Sequence, residues 1–240
     1  LKGHLIMRKL IAAIMVAGAA LVGGQAIAAD FPYYPPVIEI PDVDYGVEGG
    51  LYLRGSLGAN LLWAKDYNPA CPGCGAPTLD ITKSGFGYSF GAGVGYETGT
   101  GLRADITLDH LYNDGLGDTD YSLKLRSTIL LANAYYDFSL SDHAAASGGF
   151  GAYVGAGLGG AYNQTVVTGP LATPDGNSWA PAAALMAGVT YDMGSVVADL
   201  GYRGIYMPQI SNAQIGPSTS FYVNNAFIHE VRGTLRYRFN

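Results

Sequence analysis

The sequence contains one short motif whose residue types could do chemistry by themselves. Its only two cysteines, Cys71 and Cys74, are separated by Pro72 and Gly73. In a reducing compartment this spacing suggests redox work or half of a metal site. In an oxidising compartment it suggests a small disulfide that stiffens a loop. Because no second cysteine pair completes a metal site, we favour the disulfide and expect no bound metal or other cofactor.

Charged side chains form the second pattern that could carry chemistry. Eight basic and six acidic residues fall on the polar positions of segments in which apolar and polar residues alternate. They are Arg54, Glu97, Arg103, Asp105, Asp109, Lys124, Arg126, Asp192, Asp199, Arg203, Glu230, Arg232, Arg236 and Arg238. Opposite charges on one face of such segments are expected to pair as a salt-bridge network.

The elements that must position these charges have a period of two, which is typical of β-strands. Eight such segments follow one another from about residue 49. In the third segment, for example, Leu102 and Ala104 flank Arg103. The fourth segment places on its apolar face Leu123, Leu125, Ile129 and Leu131. Near Asn133 it becomes unclear whether the odd or the even positions form the apolar face (the parity of the strand), which suggests a β-bulge there.

The position of the charges distinguishes a membrane barrel from a soluble one. A basic side chain that faces lipid at mid-depth costs about 2–4 kcal/mol, so the charges should face the lumen. A soluble barrel requires the inverse arrangement, with apolar residues inside. The sequence therefore predicts an all-β fold, namely an eight-stranded antiparallel up-and-down transmembrane β-barrel over residues 48–240. A barrel of this size is just wide enough for side chains to fill, so we expect a filled lumen.

Connections of different length separate the eight segments. They span about residues 65–83, 98–101, 113–120, 139–149, 163–179, 193–195 and 208–224. Because extracellular loops are longer than periplasmic turns, the first, third, fifth and seventh connections are expected outside the cell. Asp114, Asp118 and Asp120 make the third connection acidic, and we interpret them as a solvated loop tip.

Aromatic residues are predicted to collect at both rims, as expected of a barrel held in a bilayer. The predicted periplasmic rim contains Tyr96, Tyr136, Phe150, Tyr191, Tyr237 and Phe239. The predicted outer rim contains Trp63, Phe86, Tyr112, Tyr162, Tyr206 and Phe227.

The first 47 residues differ from the alternating region. Arg8 and Lys9 precede an apolar stretch and an Ala-Ile-Ala sequence with the small side chains of a cleavage site. Residues 1–28 are therefore predicted to be a signal peptide for Sec export, with Met7 as the expected start. Residues 29–47 are rich in proline and are predicted to form an extended periplasmic lead-in.

Composition excludes two classes of protein. A net charge of −6 argues against nucleic acid as a partner. The mean hydropathy is only +0.16, and after residue 30 no apolar run approaches the roughly 20 residues that a membrane-spanning helix needs.

Five segments together resemble the small outer-membrane barrels of alphaproteobacteria, which are opacity-protein-like surface antigens often labelled porins. They are Asn133–Phe138, Tyr153–Gly159, Leu185–Asp192, Asp199–Arg203 and His229–Phe239. The resemblance implies a place in the Gram-negative outer membrane, in contact with the lipid bilayer and lipopolysaccharide. It also implies that the barrel-assembly machinery reads the last strand, with Tyr237 and Phe239 as the signal. This chain departs from the family pattern because Asn240 follows Phe239 and Thr234 occupies the place of an expected glycine.

These observations predict a structural, surface-exposed barrel with a filled lumen and acidic extracellular loops. A narrow porin-like channel for small solutes is the alternative. A lipid-modifying enzyme is least favoured, because lipid A deacylases resemble one another in a His-x-Ser pair. His110, His143 and His229 do not begin such a pair. No residue pattern indicates a surface ligand.

Overall fold

The computed structural model describes residues 49–70, 79–117, 122–140, 149–168, 175–212 and 220–239. They form the strands β1 (Gly50–Trp63), β2 (Asp66–Ala70), β3 (Leu79–Asp80), β4 (Gly85–Glu97), β5 (Leu102–Gly117), β6 (Ser122–Ser139), β7 (Gly149–Thr168), β8 (Gly176–Asp192), β9 (Val196–Ser211) and β10 (Ser220–Phe239). Within these ranges, no helix has the length and apolar character needed to cross a membrane. Cys71, Cys74 and the predicted signal peptide and lead-in lie outside the described residues.

Eight of these strands close into a barrel. The strands β1 and β4 to β10 pair antiparallel in chain order. β1 then pairs with β10, so that Leu51 lies opposite Phe239 and Trp63 lies opposite Phe227. The short strand β2 continues this seam by pairing with the beginning of β10, and β3 pairs with β2. The predicted eight-stranded antiparallel fold is therefore confirmed.

The two ends of the barrel differ in their connections. We call the end at which β1 begins the turn end, because the connections 98–101 and 193–195 lie there. Gly101 and Gly194 have φ angles of 91° and 90°, a conformation that a residue with a side chain rarely adopts. These glycines allow the chain to reverse within a few residues. We call the opposite end the loop end.

The outer wall carries two belts of outward-facing aromatic side chains. The turn-end girdle contains Tyr96, Tyr136, Phe138, Phe150, Tyr191, Tyr237 and Phe239. The loop-end girdle contains Trp63, Phe86, Tyr88, Tyr112, Tyr162, Trp179, Tyr206 and Phe227. On β10 the girdles are twelve residues apart, from Phe227 to Phe239, or about 40 Å along the strand. At a tilt of about 45° this corresponds to an apolar band about 28 Å tall, close to the thickness of the hydrocarbon core of a bilayer.

Several strands continue past the loop-end girdle. β6 has 18 residues and β7 has 20, whereas about 9–11 residues cross a bilayer. Beyond the girdle the chemical alternation inverts on β6, where Leu123 and Leu125 face inward, whereas β7 keeps the polar Asn163 and Thr165 inside. Two predicted connections, 113–120 and 163–179, consequently consist largely of paired strand.

The predicted orientation of β6 is wrong. Leu123, Leu125, Ile129 and Leu131 face the interior and are at most 4% exposed, and the intervening residues face outward. The register of β6 with both of its neighbours is continuous through Asn133, so no bulge occurs there. A register shift occurs instead on β5, between Asp114 and Leu116.

The interior of the barrel is divided into two layers. The apolar layer lies toward the loop end and consists chiefly of Leu62, Leu111, Leu125, Ile129, Leu131, Ile205, Met207 and Ile228, all fully buried. The charged layer lies toward the turn end and contains the buried arginines and carboxylates.

Candidate functional site

The charged layer is the part of the interior whose side chains could take part in binding or catalysis. Its members alternate with lipid-facing residues along seven of the eight barrel strands, which directs their side chains toward the axis. They are Arg54, Glu97, Arg103, Asp105, Asp109, Asp137, Asp192, Asp199, Arg203, Glu230, Arg232, Arg236 and Arg238.

Four of these groups form a cluster at the centre of the lumen. Arg203 Nη1 donates to Asp109 Oδ2 at 2.6 Å, and Arg203 Nη2 donates to Glu230 Oε2 at 2.7 Å. Arg232 Nη2 donates to Asp109 Oδ1 at 3.1 Å and to the Ser56 hydroxyl. Asp109 on β5 and Arg203 on β9 belong to strands on opposite sides of the barrel. This cluster therefore spans the whole lumen.

A second group lies beside this cluster. Arg54 Nη1 donates to Asp105 Oδ2 at 2.8 Å and to Tyr135 Oη at 2.7 Å. Tyr52 Oη donates to the same Asp105 oxygen at 2.9 Å. Asn133 Nδ2 donates to Asp105 Oδ1 at 2.7 Å, so both oxygens of this buried carboxylate are satisfied. A buried charge with this many partners avoids most of the cost of losing its water.

The turn-end mouth contains further ion pairs that are more accessible to water. Arg236 binds both oxygens of Asp199, through Nε at 3.0 Å and Nη2 at 3.1 Å. Arg238 pairs with Glu97 and Asp192, each at 2.5 Å. The carboxylates of Glu97 and Asp192 are about a fifth to a quarter exposed, whereas that of Asp199 is only 3% exposed.

Arg103 is held by a carboxylate and two aromatic rings. Its Nε donates to Asp137 Oδ2 at 2.8 Å. Its guanidinium carbon lies 4.0 Å from the ring centroid of Tyr135 and 5.1 Å from that of Tyr153. Cation–π contacts of this kind are favoured when the cation is shielded from water.

Inward-facing glycines make room for the large side chains. A Cβ atom at Gly58 would lie 2.6 Å from both Glu230 Oε1 and Ser89 Oγ. At Gly201 it would collide with the Tyr153 hydroxyl. The many glycines on the polar parity are therefore explained by the packing of a narrow lumen.

Twelve of the fourteen predicted network residues face the lumen or its turn-end mouth, and two do not. Lys124 and Arg126 point outward near the loop-end girdle. Lys124 lies 3.5 Å from the outward-facing Asp114, and Arg126 donates to Tyr112 Oη at 2.5 Å. The prediction for these two residues is corrected, because it rested on the inverted parity of β6.

The same inversion concealed Asp137 of the charged layer, together with Tyr135 and Asn133, which hydrogen-bond to other members of that layer. Asp137, Tyr135 and Asn133 all lie on the odd positions of β6, which face inward. The signal was present in the sequence, because Tyr136 and Phe138 had the positions of rim aromatics. Their even parity, continued along the strand, turns the odd positions toward the lumen.

The arrangement holds the charges of the described lumen residues in pairs. The described residues contain no group of three His, Cys, Asp or Glu side chains that could hold a metal ion. Two histidines lie on the outer wall: His110 Nδ1 is 3.0 Å from Thr128 Oγ1, and His229 Nδ1 is 2.7 Å from Tyr202 Oη. The chemistry that this interior supports best is electrostatic cross-linking of the barrel walls.

Comparison with known proteins finds relatives in sequence and proteins of similar fold. No protein-family model matches it. An uncharacterized protein of Brucella abortus is 30% identical over 95% of this chain and 97% of its own length. An uncharacterized protein of Brucella melitensis matches to the same extent. Neisserial surface protein A, a solved structure, is 21% identical with a TM-score of 0.51, over 79% of this chain and 97% of its own, which is a similarity of fold.

The sequence relatives and the fold lead to one identification. The Brucella proteins are matched along nearly their entire length, and the barrel has the strand number and closure of the small outer-membrane barrels. The chain therefore belongs to the family of these Brucella proteins and has the fold of a small eight-stranded outer-membrane β-barrel.

Proposed function

We propose that the protein is a non-enzymatic structural barrel of the Gram-negative outer membrane whose lumen does not conduct and whose loop end is displayed at the cell surface. The observation that carries this proposal is the bridge from Asp109 on β5 to Arg203 on β9. Both side chains are 1% exposed, so no water-accessible path passes between them. An ion that passed between these two side chains would have to break this pair.

The apolar layer supports the same proposal as a second barrier. Leu111, Leu125, Ile205 and Ile228 have no exposed surface, although they lie inside the barrel. A hydrated ion would lose its water in such a layer, where the buried polar side chains of Asn60, Asn113, Ser127 and Asn163 already bond to one another in pairs. Two closures of different chemistry in series favour a plugged lumen over the narrow porin-like channel.

Conductance of the purified full chain in planar bilayers tests the proposal. We expect no steady openings above the conductance of the bare bilayer, both in dilute and in concentrated salt. Insertion of the same sample is checked by protease protection and by its heat-modifiable mobility on gels. Steady openings that increase with salt concentration would overturn the plugged lumen in favour of the channel.

The absence of enzyme activity is tested separately. Each described histidine on the wall contacts a hydroxyl group, and in the described part of the chain no carboxylate is hydrogen-bonded to either imidazole. A general base normally needs such an orienting partner. We expect the mass spectrum of lipid A to be identical in cells with and without the protein. A mass change corresponding to loss or addition of an acyl chain would show lipid-modifying activity instead.

A further inference from the structure

Two basic side chains stand on the outer wall at the loop-end girdle. Arg126 is fixed in place, because its guanidinium donates to Tyr112 Oη and lies 4.8 Å from the centroid of that ring. Tyr112 in turn stacks on Tyr88 with ring centroids 5.4 Å apart. Lys124 is the next outward residue on the same strand, and about half of its side chain is exposed. The girdle is the level at which lipid headgroups meet the acyl chains.

An apolar groove opens on the same wall, closer to mid-height. Its floor is made of outward-facing small residues on four adjacent strands, β6 to β9. These are Ala132, Ala134, Ala156, Ala183 and Gly204. Leu158 and Leu185 project at its sides, and Tyr206 and Phe227 border it toward the girdle. The groove encloses about 640 Å³.

The basic pair and the groove are aligned along β6. Arg126 and Ala132 are six residues apart on the same face, which corresponds to about 20 Å along the strand. With a strand tilt of about 45°, their vertical separation is about 14 Å, close to half of the roughly 30 Å hydrocarbon core. Thr128 and Leu130 project from β6 between them, and Gly160, opposite Leu130 on β7, leaves space on the wall beside Leu130. The vertical separation therefore matches the length of the acyl chains in one leaflet.

We propose that this face of β6 to β9 binds one anionic lipid of the outer leaflet, with its phosphate on Arg126 and Lys124 and one acyl chain in the groove. The proposal rests on the outer-membrane orientation given under Proposed function. Charge complementarity favours this occupant. At the headgroup level the two positive charges of Lys124 and Arg126 face the single negative charge of Asp114, which suits a phosphate. The groove itself carries no charge, which suits an acyl chain. A second copy of the chain would bring a like-charged pair toward this one and is disfavoured.

The test uses the full chain in nanodiscs that contain equal amounts of dimyristoylphosphatidylglycerol and dimyristoylphosphatidylcholine. Native mass spectrometry then counts the lipids that stay bound after the disc is removed. We expect one retained lipid per chain, predominantly phosphatidylglycerol. Because one basic residue near an anionic surface contributes roughly a fivefold factor, Lys124→Gln and Arg126→Gln should each lower this preference about fivefold. Lys65→Gln, which removes an exposed charge elsewhere near the loop end, is the matched control.

The groove is tested by filling it. Ala183→Leu and Ala156→Leu should each reduce the retention of both lipids about tenfold, since the acyl chain loses its place. Ala92→Leu, on the outer face of β4, makes the same chemical change away from the groove and should leave retention unchanged. Folding of each variant is checked by heat-modifiable mobility.

Three results would overturn the proposal. The first is equal retention of the two lipids by the unmodified chain, and the second is unaltered retention in the groove variants. The third is the mass of a dimer that disappears in the groove variants, because the occupant would then be a second copy of the chain. Failure of the lipid site leaves the conductance of the barrel unaffected, so the two proposals fail independently.

Discussion

In the turn-end half of the lumen Arg203 and Asp109 are joined by an ion pair, whereas in the loop-end half Leu125 and Ile205 belong to a cluster of buried apolar side chains. Both halves are equally buried, so that burial alone does not decide which chemistry fills a barrel. The environment outside the barrel wall also decides which side chains face inward. In the turn-end half the outer face is coated by exposed apolar residues, and the polar residues of each strand must turn inward.

At and above the loop-end girdle β6 follows the opposite rule. Lys124 and Arg126 face outward, and Leu123 and Leu125 face inward. This is the pattern of a soluble barrel, in which apolar side chains escape water by filling the interior. One continuous strand therefore carries two patterns of side-chain alternation.

The largest expected effect comes from breaking the central ion pair. Arg203→Met leaves Asp109 and Glu230 without their main partner in a buried site, which should lower the free energy of unfolding by about 4 kcal/mol. Urea unfolding of the refolded barrel in lipid vesicles measures this change. Lys124→Met breaks a half-exposed pair and should cost less than about 1 kcal/mol. Equal losses for the two variants would contradict the difference between buried and exposed charges.

Trimming the apolar layer should have the next largest effect. Leu125→Ala removes a fully buried side chain and leaves a cavity, which should lower the free energy of unfolding by about 3 kcal/mol. Leu125→Met keeps the volume and should cost less than about 1.5 kcal/mol. The same urea titration measures both variants. A loss below about 1 kcal/mol for the alanine variant would mean that the loop-end half is not packed as a core.

The smallest effect is expected for a glycine that makes room for a neighbour. Gly201→Ala places a methyl group against the Tyr153 hydroxyl and should cost about 2 kcal/mol, because this ring must move within a filled lumen. Gly233→Ala introduces the same methyl group where no heavy atom lies within 4 Å, so its unfolding midpoint should stay close to that of the unmodified barrel. Similar midpoints for the two variants would argue for a loosely packed charged layer.

The barrel topology and most of the charged layer could be predicted from the sequence. Strands such as β5 have charges on one face and apolar residues on the other below the girdle, and their parity is therefore unambiguous. β6 offers no such contrast, because Leu130 and Leu131 are both apolar although they face opposite sides. Parity then has to be taken from the rim aromatics Tyr136 and Phe138.

Strand length could not be predicted in the same way. The predicted connection 113–120 was bounded where the membrane pattern of β5 stops, yet the strand continues to Gly117. Backbone pairing continues without regard to the solvent outside, whereas the side-chain alternation of β6 inverts beyond the girdle. The lipid-shaped groove was equally hidden, since it combines small residues from four strands that are distant in the sequence.

The seam between β1 and β10 has a consequence for biogenesis. The earliest and the latest barrel strands are direct neighbours, from Leu51 opposite Phe239 to Trp63 opposite Phe227. Until β10 is in place, the N–H and C=O groups along the free edges of β1 and β9 have no partners, and each such group costs several kcal/mol in hydrocarbon. A chain truncated before β10 should consequently yield an unsealed sheet that proteases remove, and not a smaller working barrel.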